Sequence, residues 1–312
     1  MHSSNKVTIK DALNERDGFQ IWWRLLRPHT LTASFVPVFV GSMLAFHEGH
    51  MNIFLFMAML IASMLIQAAT NMFNEYYDFV KGLDNEESVG IGGTIVRDGI
   101  KPKTVLHLAL SFFGIAMLLG AFISATSSWW IAAIGLICML FGYLYTGGPY
   151  PIAYTPLGEL FSGFLMGTVI IGISYFIQAK TITLEVILAS IPIAIFIGAI
   201  LLSNNIRDLD NDKENGRKTL AILLGRKRAI GFLALMFLTA FFVTAWLIIK
   251  GIFPLWSFIT FIGAIKAVDV IQKFKGKTQP LEMMPAMAAT GKTNSIYGIL
   301  LGISLFISTF IN

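Results

Sequence analysis

The chain contains few charged residues. Asp, Glu, Lys and Arg make up 13% of its 312 residues, whereas a soluble domain contains about 25%. Hydrophobic residues make up 55%, and apolar stretches about 20 residues long recur from residue 29 to the C-terminus. This composition excludes a soluble globular enzyme, a nucleic-acid-binding domain and a disordered protein. It predicts an all-α membrane protein, because backbone groups in lipid must be hydrogen-bonded internally.

Two further absences narrow the possible functions. The single cysteine, Cys138, lies inside an apolar stretch, which excludes an intramolecular disulfide and a cysteine metal site. The middle of each apolar stretch also lacks Asp, Glu, Lys and Arg. Because proton- and ion-coupled transporters usually carry such a residue on their pathway, this absence argues against transport without excluding it.

The apolar stretches predict a polytopic protein with nine transmembrane helices. A hydrocarbon core of about 30 Å requires about 20 apolar residues per helix. Glycines at three positions of the fifth span (Gly163, Gly167 and Gly172) would allow close helix packing. We expect one transmembrane domain over residues 1–312, beginning with a cytoplasmic segment, 1–28. The predicted spans are 29–47, 52–72, 104–125, 129–146, 158–178, 184–204, 229–249, 252–271 and 295–311.

The distribution of basic residues predicts the orientation of the chain. All but two of its 23 Lys and Arg residues fall on one side of the predicted bilayer, and the exceptions are Lys180 and Lys250. Because cytoplasmic loops carry an excess of Lys and Arg, the N-terminus is expected in the cytoplasm. We therefore expect a multi-pass protein of the plasma membrane whose active site faces the cytoplasm.

The first candidate site follows the second span, where the chain reads NMFNEYYDFVKGLD. Asn74 and Asp78 are four residues apart, so they share one face of a helix. Gly82 can end that helix, and Asp84 then lies on a turn that could return toward Asp78. This spacing predicts a small group of oxygen ligands at the cytoplasmic end of the span.

A second group of the same kind follows the sixth span. Asn204, Asp208 and Asp212 form an i, i+4, i+8 line, which predicts one helix face. The pattern Asn-x-x-x-Asp therefore occurs twice at the predicted cytoplasmic surface. Ordinary solvated loops with scattered charge are the alternative interpretation for any one of these carboxylates.

Together the two groups favour binding of a diphosphate. Facing carboxylates repel one another unless cations lie between them or their pKa values are raised. Carboxylate and amide oxygens suit Mg²⁺, which readily shares its ligand shell with phosphate. Basic side chains among the acids could bind the remaining phosphate oxygens. These basic residues are Lys81, Arg97, Arg207, Arg217 and Lys218.

A tyrosine-rich segment, YLYTGGPYPIAYTPLGEL, lies between the fourth and fifth spans. Aromatic faces stabilise cations, so a pocket lined by tyrosines suits an allylic carbocation. For each tyrosine taken alone, an interfacial belt is an equally good explanation. Glu159, at the entrance to the fifth span, is either a base or a helix N-terminal charge. The tyrosines are Tyr143, Tyr145, Tyr150 and Tyr154.

At these residues the chain resembles the UbiA superfamily of intramembrane aromatic prenyltransferases. That family has nine transmembrane helices and two Asp-rich motifs, and the resemblance implies a central cavity open to the cytoplasm. The first motif is matched by Asn74, Asp78 and Asp84, and the second by Asp208 and Asp212. Within this family, five segments of the chain are similar to the sequences of the branch that prenylates a naphthoate. The segments that carry this similarity are RPHTLTASFVPVFVG, NEYYDFVKGLD, IGGTIVRDG, YLYTGGPYPIAY and NNIRDLDNDKENGRKTLAILLGR.

The resemblance implies a Mg²⁺-dependent polyprenyltransferase. It would join 1,4-dihydroxy-2-naphthoate to a polyprenyl group from a long-chain polyprenyl diphosphate, releasing diphosphate and carbon dioxide and giving demethylmenaquinone for menaquinone biosynthesis. The implied metal ligands are Asn74, Asp78, Asp84, Asn204, Asp208 and Asp212. The implied catalytic residues are Asp78, Asp208, Tyr143 and Tyr145. The implied ligands of the diphosphate or of the naphthoate carboxylate are Lys81, Arg97, Arg207 and Lys218.

Two alternatives remain open at this stage. One is a prenyltransferase for another acceptor, such as 4-hydroxybenzoate, a haem or a chlorophyllide. The other is a lipid or small-molecule transporter with a metal-regulated gate. We expect no nucleic-acid partner. Tail length, oligomeric state, any general base and the partner of each basic residue stay undetermined.

Overall fold

The computed structural model describes residues 18–83 and 93–311, and these ranges are helical throughout apart from their connections. The long regular helices are Pro28–His47, Ile53–Val80, Pro102–Thr126, Trp129–Leu144, Leu184–Arg207, Arg226–Ile249 and Pro280–Ser308. Two further segments combine helix types: Gly158–Ser162, Gly163–Val169 (a π-helix) and Ile170–Ala179; and Leu255–Phe261 (3₁₀) and Ile262–Phe274. The short helices are Phe19–Leu26, Thr94–Arg97, Ile152–Tyr154 (3₁₀), Leu209–Glu214 and Leu220–Leu224.

Seven of the helical segments are long and apolar enough to cross a membrane. The helix Trp129–Leu144 is apolar but has only 16 residues. The helix Pro280–Ser308 has 29 residues and carries Glu282 and Lys292 in its first half. The chain is therefore a multi-pass helical membrane protein, as its composition predicts. The seven segments are Pro28–His47, Ile53–Val80, Pro102–Thr126, Gly158–Ala179, Leu184–Arg207, Arg226–Ile249 and Leu255–Phe274.

Several helices extend beyond the apolar stretches that predict them. The second span ends at Val80 rather than at residue 72, and the last helix begins at Pro280 rather than at residue 295. Hydropathy ends where polar side chains begin, whereas the helix continues as long as each carbonyl finds its amide four residues on. The extension of the second span carries the first polar motif on a regular helix.

Glycines bring the fifth span unusually close to the helix Leu184–Arg207. A Cβ added at Gly163 would lie 2.6 Å from the carbonyl oxygen of Ala194, and one at Gly167 would lie 2.5 Å from its Cα. The predicted close packing is therefore confirmed for these two positions. At Gly172 the nearest atom is Ile182 Cδ1, at 3.9 Å, so that glycine is not needed for close approach.

Candidate active site

The first motif lies on the last turns of the helix Ile53–Val80, which we call the first motif helix. Asn74 and Asp78 share a face of this helix, as their spacing predicts, and both line a cavity. Gly82 follows the helix with a φ of 69°, a left-handed conformation that glycine adopts without strain. The backbone then turns so that Leu83 N donates to the carbonyl of Asp78 at 2.8 Å. The predicted ligand Asp84 lies outside the described residues.

The second motif lies where the helix Leu184–Arg207, the second motif helix, ends. The prediction of one continuous helix through Asp212 is wrong, because the helix stops at Arg207 and a separate short helix follows Asp208. The i, i+4 hydrogen bonds nevertheless continue, with Asp208 N on Asn204 O at 3.0 Å and Asp212 N on Asp208 O at 2.8 Å. All three motif side chains therefore still line the cavity.

The cavity has a volume of about 780 Å³ and joins the two motifs to an apolar arm. Along the first motif helix its lining extends from Met59 to Asp78, which corresponds to about 28 Å at 1.5 Å per residue. The polar end contains the carboxylates, and the other end is bordered by aliphatic and small side chains. The lining of that arm includes Met59, Ile66, Ile123, Ile131, Gly135, Leu136 and Ile173.

Arg217 connects the two motifs. One guanidinium nitrogen lies 3.0 Å from Asp78 Oδ1, and the other lies 3.0 Å from Asp212 Oδ1. Asp78 and Asp212 thus contact opposite ends of one planar group, which places both motifs within reach of a single small ligand. The shared guanidinium offsets the repulsion between two largely buried carboxylates.

The electrostatics of this bridge are dominated by burial. Burial raises the pKa of Asp212 to about 7, the neighbouring Asp208 and Asp78 act in the same direction, and Arg217 opposes them. Although burial disfavours its charge, the carboxylates Asp78 and Asp212 raise the pKa of Arg217. Burial therefore disfavours the charged forms of these carboxylates unless a cation lies beside them, and an added cation would stabilise those forms.

Arg207 forms a second ion pair at the same end of the cavity. Its Nε and Nη2 donate to the two oxygens of Asp208 at 2.7 and 2.6 Å. The third nitrogen, Nη1, donates to Met287 Sδ at 2.9 Å. The predicted diphosphate ligand Arg207 thus lies at the site and holds Asp208 in a fixed orientation.

Arg27 lies at the site because the helix is interrupted at this residue. It has a left-handed φ of 51° between the helices Phe19–Leu26 and Pro28–His47, a conformation that costs energy for a residue other than glycine. Thr30 Oγ1 donates to the Arg27 carbonyl at 2.9 Å, and Asn71 Nδ2 donates to the Leu26 carbonyl at 3.0 Å. These side chains stabilise the break and direct the chain toward the cavity.

The side chain of Arg27 reaches the first motif. With the Asn74 amide oriented to satisfy both neighbours, its oxygen accepts from Arg27 Nη1 at 3.3 Å and its nitrogen donates to Asp78 Oδ2 at 2.7 Å. Arg27 is not among the residues that the sequence analysis predicts for the site. The signal in the sequence is Pro28, because a proline restricts the conformation of the residue before it. Arguments from the spacing of polar residues do not use this signal.

Three of the four predicted basic ligands do not line the cavity in the described residues. Lys81 is exposed, donates to the Thr146 carbonyl at 2.8 Å and lies 5.2 Å from the Tyr154 ring centroid. Lys218 is exposed, and its backbone nitrogen donates to the Tyr154 carbonyl. Arg97 lies on the short helix Thr94–Arg97. Arg217, whose guanidinium carbon lies 5.1 Å from the Tyr154 centroid, is the basic residue at the motif junction.

The tyrosines of the loop divide between the cavity and its surroundings. Tyr145 lines the cavity. Tyr143 is directed away from it, and its hydroxyl lies 2.8 Å from that of Tyr77 on the first motif helix. Tyr150 is 92% exposed. Of the two tyrosines predicted to shield a cation, Tyr145 lines the cavity and Tyr143 does not.

The donor set of the cavity fits a hard divalent cation. The lining side chains of both motifs present carboxylate and amide oxygens, which are the ligands that Mg²⁺ prefers. Asn204 Oδ1 is buried and has no hydrogen-bond partner among the described residues. Among all the residues that the structure describes, no three His, Cys, Asp or Glu side chains lie close enough together to hold a metal ion. A cation would therefore have to displace the present contacts of Arg207 and Arg217.

Comparisons with known proteins agree with this architecture. The UbiA prenyltransferase family profile matches residues 34–284. A 1,4-dihydroxy-2-naphthoate octaprenyltransferase of Bacillus subtilis (strain 168) is 54% identical over 310 residues, covering 99% of this chain and 100% of that protein. The protein of the same name from Escherichia coli (strain K12) is 26% identical over 295 residues, covering 93% and 96%.

A solved structure has a similar fold. A UbiA homolog from Archaeoglobus fulgidus bound to GPP and Mg²⁺ superposes with a TM-score of 0.64 over 90% of this chain and 99% of that chain. The two sequences are 16% identical. At this low identity, the comparison shows that the two proteins share the arrangement of their helices.

Proposed function

Because the chain belongs to the UbiA prenyltransferase family, we propose that it transfers a polyprenyl group from a polyprenyl diphosphate to 1,4-dihydroxy-2-naphthoate. The products are demethylmenaquinol, which is the hydroquinone form of demethylmenaquinone, diphosphate and carbon dioxide, so the reaction belongs to menaquinone biosynthesis. The 54% identity to the Bacillus subtilis enzyme over the full length supports 1,4-dihydroxy-2-naphthoate as the acceptor. Both polar motifs line the same cavity as the apolar arm, which supports a diphosphate with a lipid tail as the other substrate.

The proposed topology has nine transmembrane helices in one domain over residues 1–312, with the N-terminus in the cytoplasm of a plasma-membrane protein. The one-sided distribution of Lys and Arg supports the orientation. The helix Trp129–Leu144 is about 24 Å long, short but close to the thickness of a bilayer core. In the helix Pro280–Ser308, Asn294 is buried and donates to Thr32 Oγ1 at 3.0 Å, which removes a polar side chain from lipid.

The proposed metal is Mg²⁺, held by oxygens of the two motifs. When bound, it supplies positive charge that stabilises the departing diphosphate. Arg217 and Arg207, which now pair with the motif carboxylates, bind the phosphate oxygens, and Arg27 holds Asn74 in place. Lys81 and Lys218 border Tyr154 and attract anionic substrates at longer range. The proposed ligands of the metal are Asn74, Asp78, Asn204, Asp208 and Asp212, with Asp84 outside the described residues.

The apolar arm holds the polyprenyl tail away from water. Tyr145 lines the cavity beside the motifs, where its ring shields the allylic cation. The bond between the allylic carbon and the diphosphate oxygen breaks, and the ring carbon that carries the carboxylate attacks. The bond to the carboxylate then breaks, its electron pair returns to the ring, and carbon dioxide leaves. This exchange restores the aromatic ring without removal of a ring proton.

The identity of the acceptor is tested by offering several acceptors to the same membranes. With one labelled polyprenyl diphosphate we expect a prenylated naphthoate product, because the chain is most similar to naphthoate enzymes among the relatives described. We expect no product with 4-hydroxybenzoate. Membranes without the chain are the control. A product only with another acceptor would overturn the acceptor assignment, and vesicle flux without any covalent product would support a transporter.

Removal of divalent cations tests the metal assignment. We expect excess EDTA to abolish product formation and added Mg²⁺ to restore it, because the clustered carboxylates repel diphosphate unless a cation neutralises them. Activity is measured as labelled product per unit of membrane protein. Turnover that persists in excess EDTA would contradict the use of a metal.

A further inference from the structure

Glu159 is a buried carboxylate that the mechanism above does not use. It is 6% exposed, lies in the first turn of the fifth span and is not part of the described cavity lining. Its Oε1 accepts a hydrogen bond from Asn205 Nδ2 at 2.9 Å. Its Oε2 is buried without a hydrogen-bond partner among the described residues. Such a carboxylate is costly to bury, and the hydrogen bond from Asn205 compensates for part of this cost.

Close backbone packing fixes Glu159 opposite Asn205. A Cβ added at Gly198 on the second motif helix would lie 3.0 Å from the Glu159 carbonyl oxygen. The tight approaches of Gly163 and Gly167 to Ala194 continue the same contact along the two helices. The close packing of the fifth span and the second motif helix therefore keeps the side chains of Glu159 and Asn205 at a fixed distance from each other.

This contact determines which atom Asn205 offers to the cavity. Glu159 Oε1 accepts from Asn205 Nδ2, so the Asn205 amide turns its nitrogen toward Glu159. The carbonyl oxygen is then the polar atom left for the cavity, which Asn205 lines next to the second motif. Without Glu159 the amide could rotate and offer donors instead.

We infer that Glu159 is a positioning residue for the aromatic acceptor, which it orients through Asn205. The Asn205 oxygen accepts a hydrogen bond from a phenolic hydroxyl of the acceptor. A diphosphate carries no such donor and is repelled by an exposed carbonyl oxygen, so the contact selects the acceptor over the other substrate. Accepting from the hydroxyl also increases the electron density of the ring that attacks. This inference rests on the proposed function.

The test compares the kinetics of both substrates in Glu159→Leu and Glu159→Gln membranes. For Glu159→Leu we expect KM for the naphthoate to rise about tenfold, the effect of losing one substrate hydrogen bond. KM for the polyprenyl diphosphate and the Mg²⁺ concentration for half-maximal activity stay within about twofold of wild type. Glu159→Gln retains a low naphthoate KM, because its amide oxygen still accepts from Asn205.

A double variant covers the case in which Glu159→Leu fails to fold. Glu159→Leu with Asn205→Leu replaces both partners by apolar groups, which is nearly neutral for stability. It is expected to show the same rise in naphthoate KM, without an additive effect of the second change. Wild type that makes no prenylated naphthoate refutes the proposed function. Active wild type with variants that change the KM of both substrates equally, change Mg²⁺ activation, or change neither refutes the positioning role.

Discussion

Asp78→Ala is expected to lower turnover at least about 1000-fold, which corresponds to about 4 kcal/mol of lost transition-state stabilisation. The change removes a proposed oxygen ligand of the metal and one of the two carboxylates that pair with Arg217. Asp208→Ala, at the second motif, is expected to have a similar effect because it also removes the partner of Arg207. Labelled product formation in membranes measures the loss, and membrane content of the protein is checked by immunoblot.

A neighbouring carboxylate supplies the matched control for this pair of variants. Asp210 has a side chain that is 64% exposed and pairs with Arg226, and it does not line the described cavity. Asp210→Ala is therefore expected to keep wild-type activity. Normal turnover by Asp78→Ala, or equal loss in all three variants, would contradict the assignment of the motifs to the reacting diphosphate.

Arg217→Met is expected to have the second largest effect, on both stability and activity. It removes the guanidinium between Asp78 and Asp212 and leaves two largely buried carboxylates unpaired. Breaking a buried ion pair in this way costs about 3 to 5 kcal/mol. Turnover is expected to fall about 100-fold, since the proposed charged contact to the diphosphate is also lost. Thermal unfolding in detergent and product formation measure the two effects.

The same variant has a distinctive response to Mg²⁺. A divalent cation can replace the missing positive charge between the carboxylates, so Mg²⁺ should raise the unfolding temperature of Arg217→Met more than that of wild type. Arg226→Met is the control, because Arg226 pairs with the exposed Asp210 and not with a motif carboxylate, and such a pair contributes about 0 to 1 kcal/mol. An equal Mg²⁺ response in all three proteins would show that the carboxylates do not share a cation site.

The candidate site was predictable where it depends on spacing along one helix. Asn74 and Asp78 are four residues apart on one helix, so their common face followed from helical geometry. Tyr145 directly follows the helix that contains Tyr143 and keeps a helical conformation, so two residues this far apart point to different sides, which their prediction as a pair did not take into account. Tyr143 accordingly pairs with Tyr77, while Tyr145 lines the cavity.

The site was not predictable where it depends on residues far apart in the chain. Arg217 and Asp78 are separated by 139 positions, and no local pattern in the sequence selects Arg217 over the neighbouring Lys218. Arg27 joins the site only because the backbone breaks before Pro28 and the side chains of Thr30 and Asn71 stabilise that break. Such contacts arise from helix packing, which local spacing does not encode.

The sequence alone determined the membrane class, the approximate positions of the apolar helices and the composition of both polar motifs. These properties follow from hydropathy and from the period of the helix, which act within a short stretch of chain. Only the tertiary structure decided that Arg217 bridges the motifs, that an apolar arm adjoins them and that Glu159 holds Asn205. The glycine contacts between the fifth span and the second motif helix set the relation of Glu159 to Asn205. All three relations join residues that are far apart in the chain, so they are properties of the packed bundle.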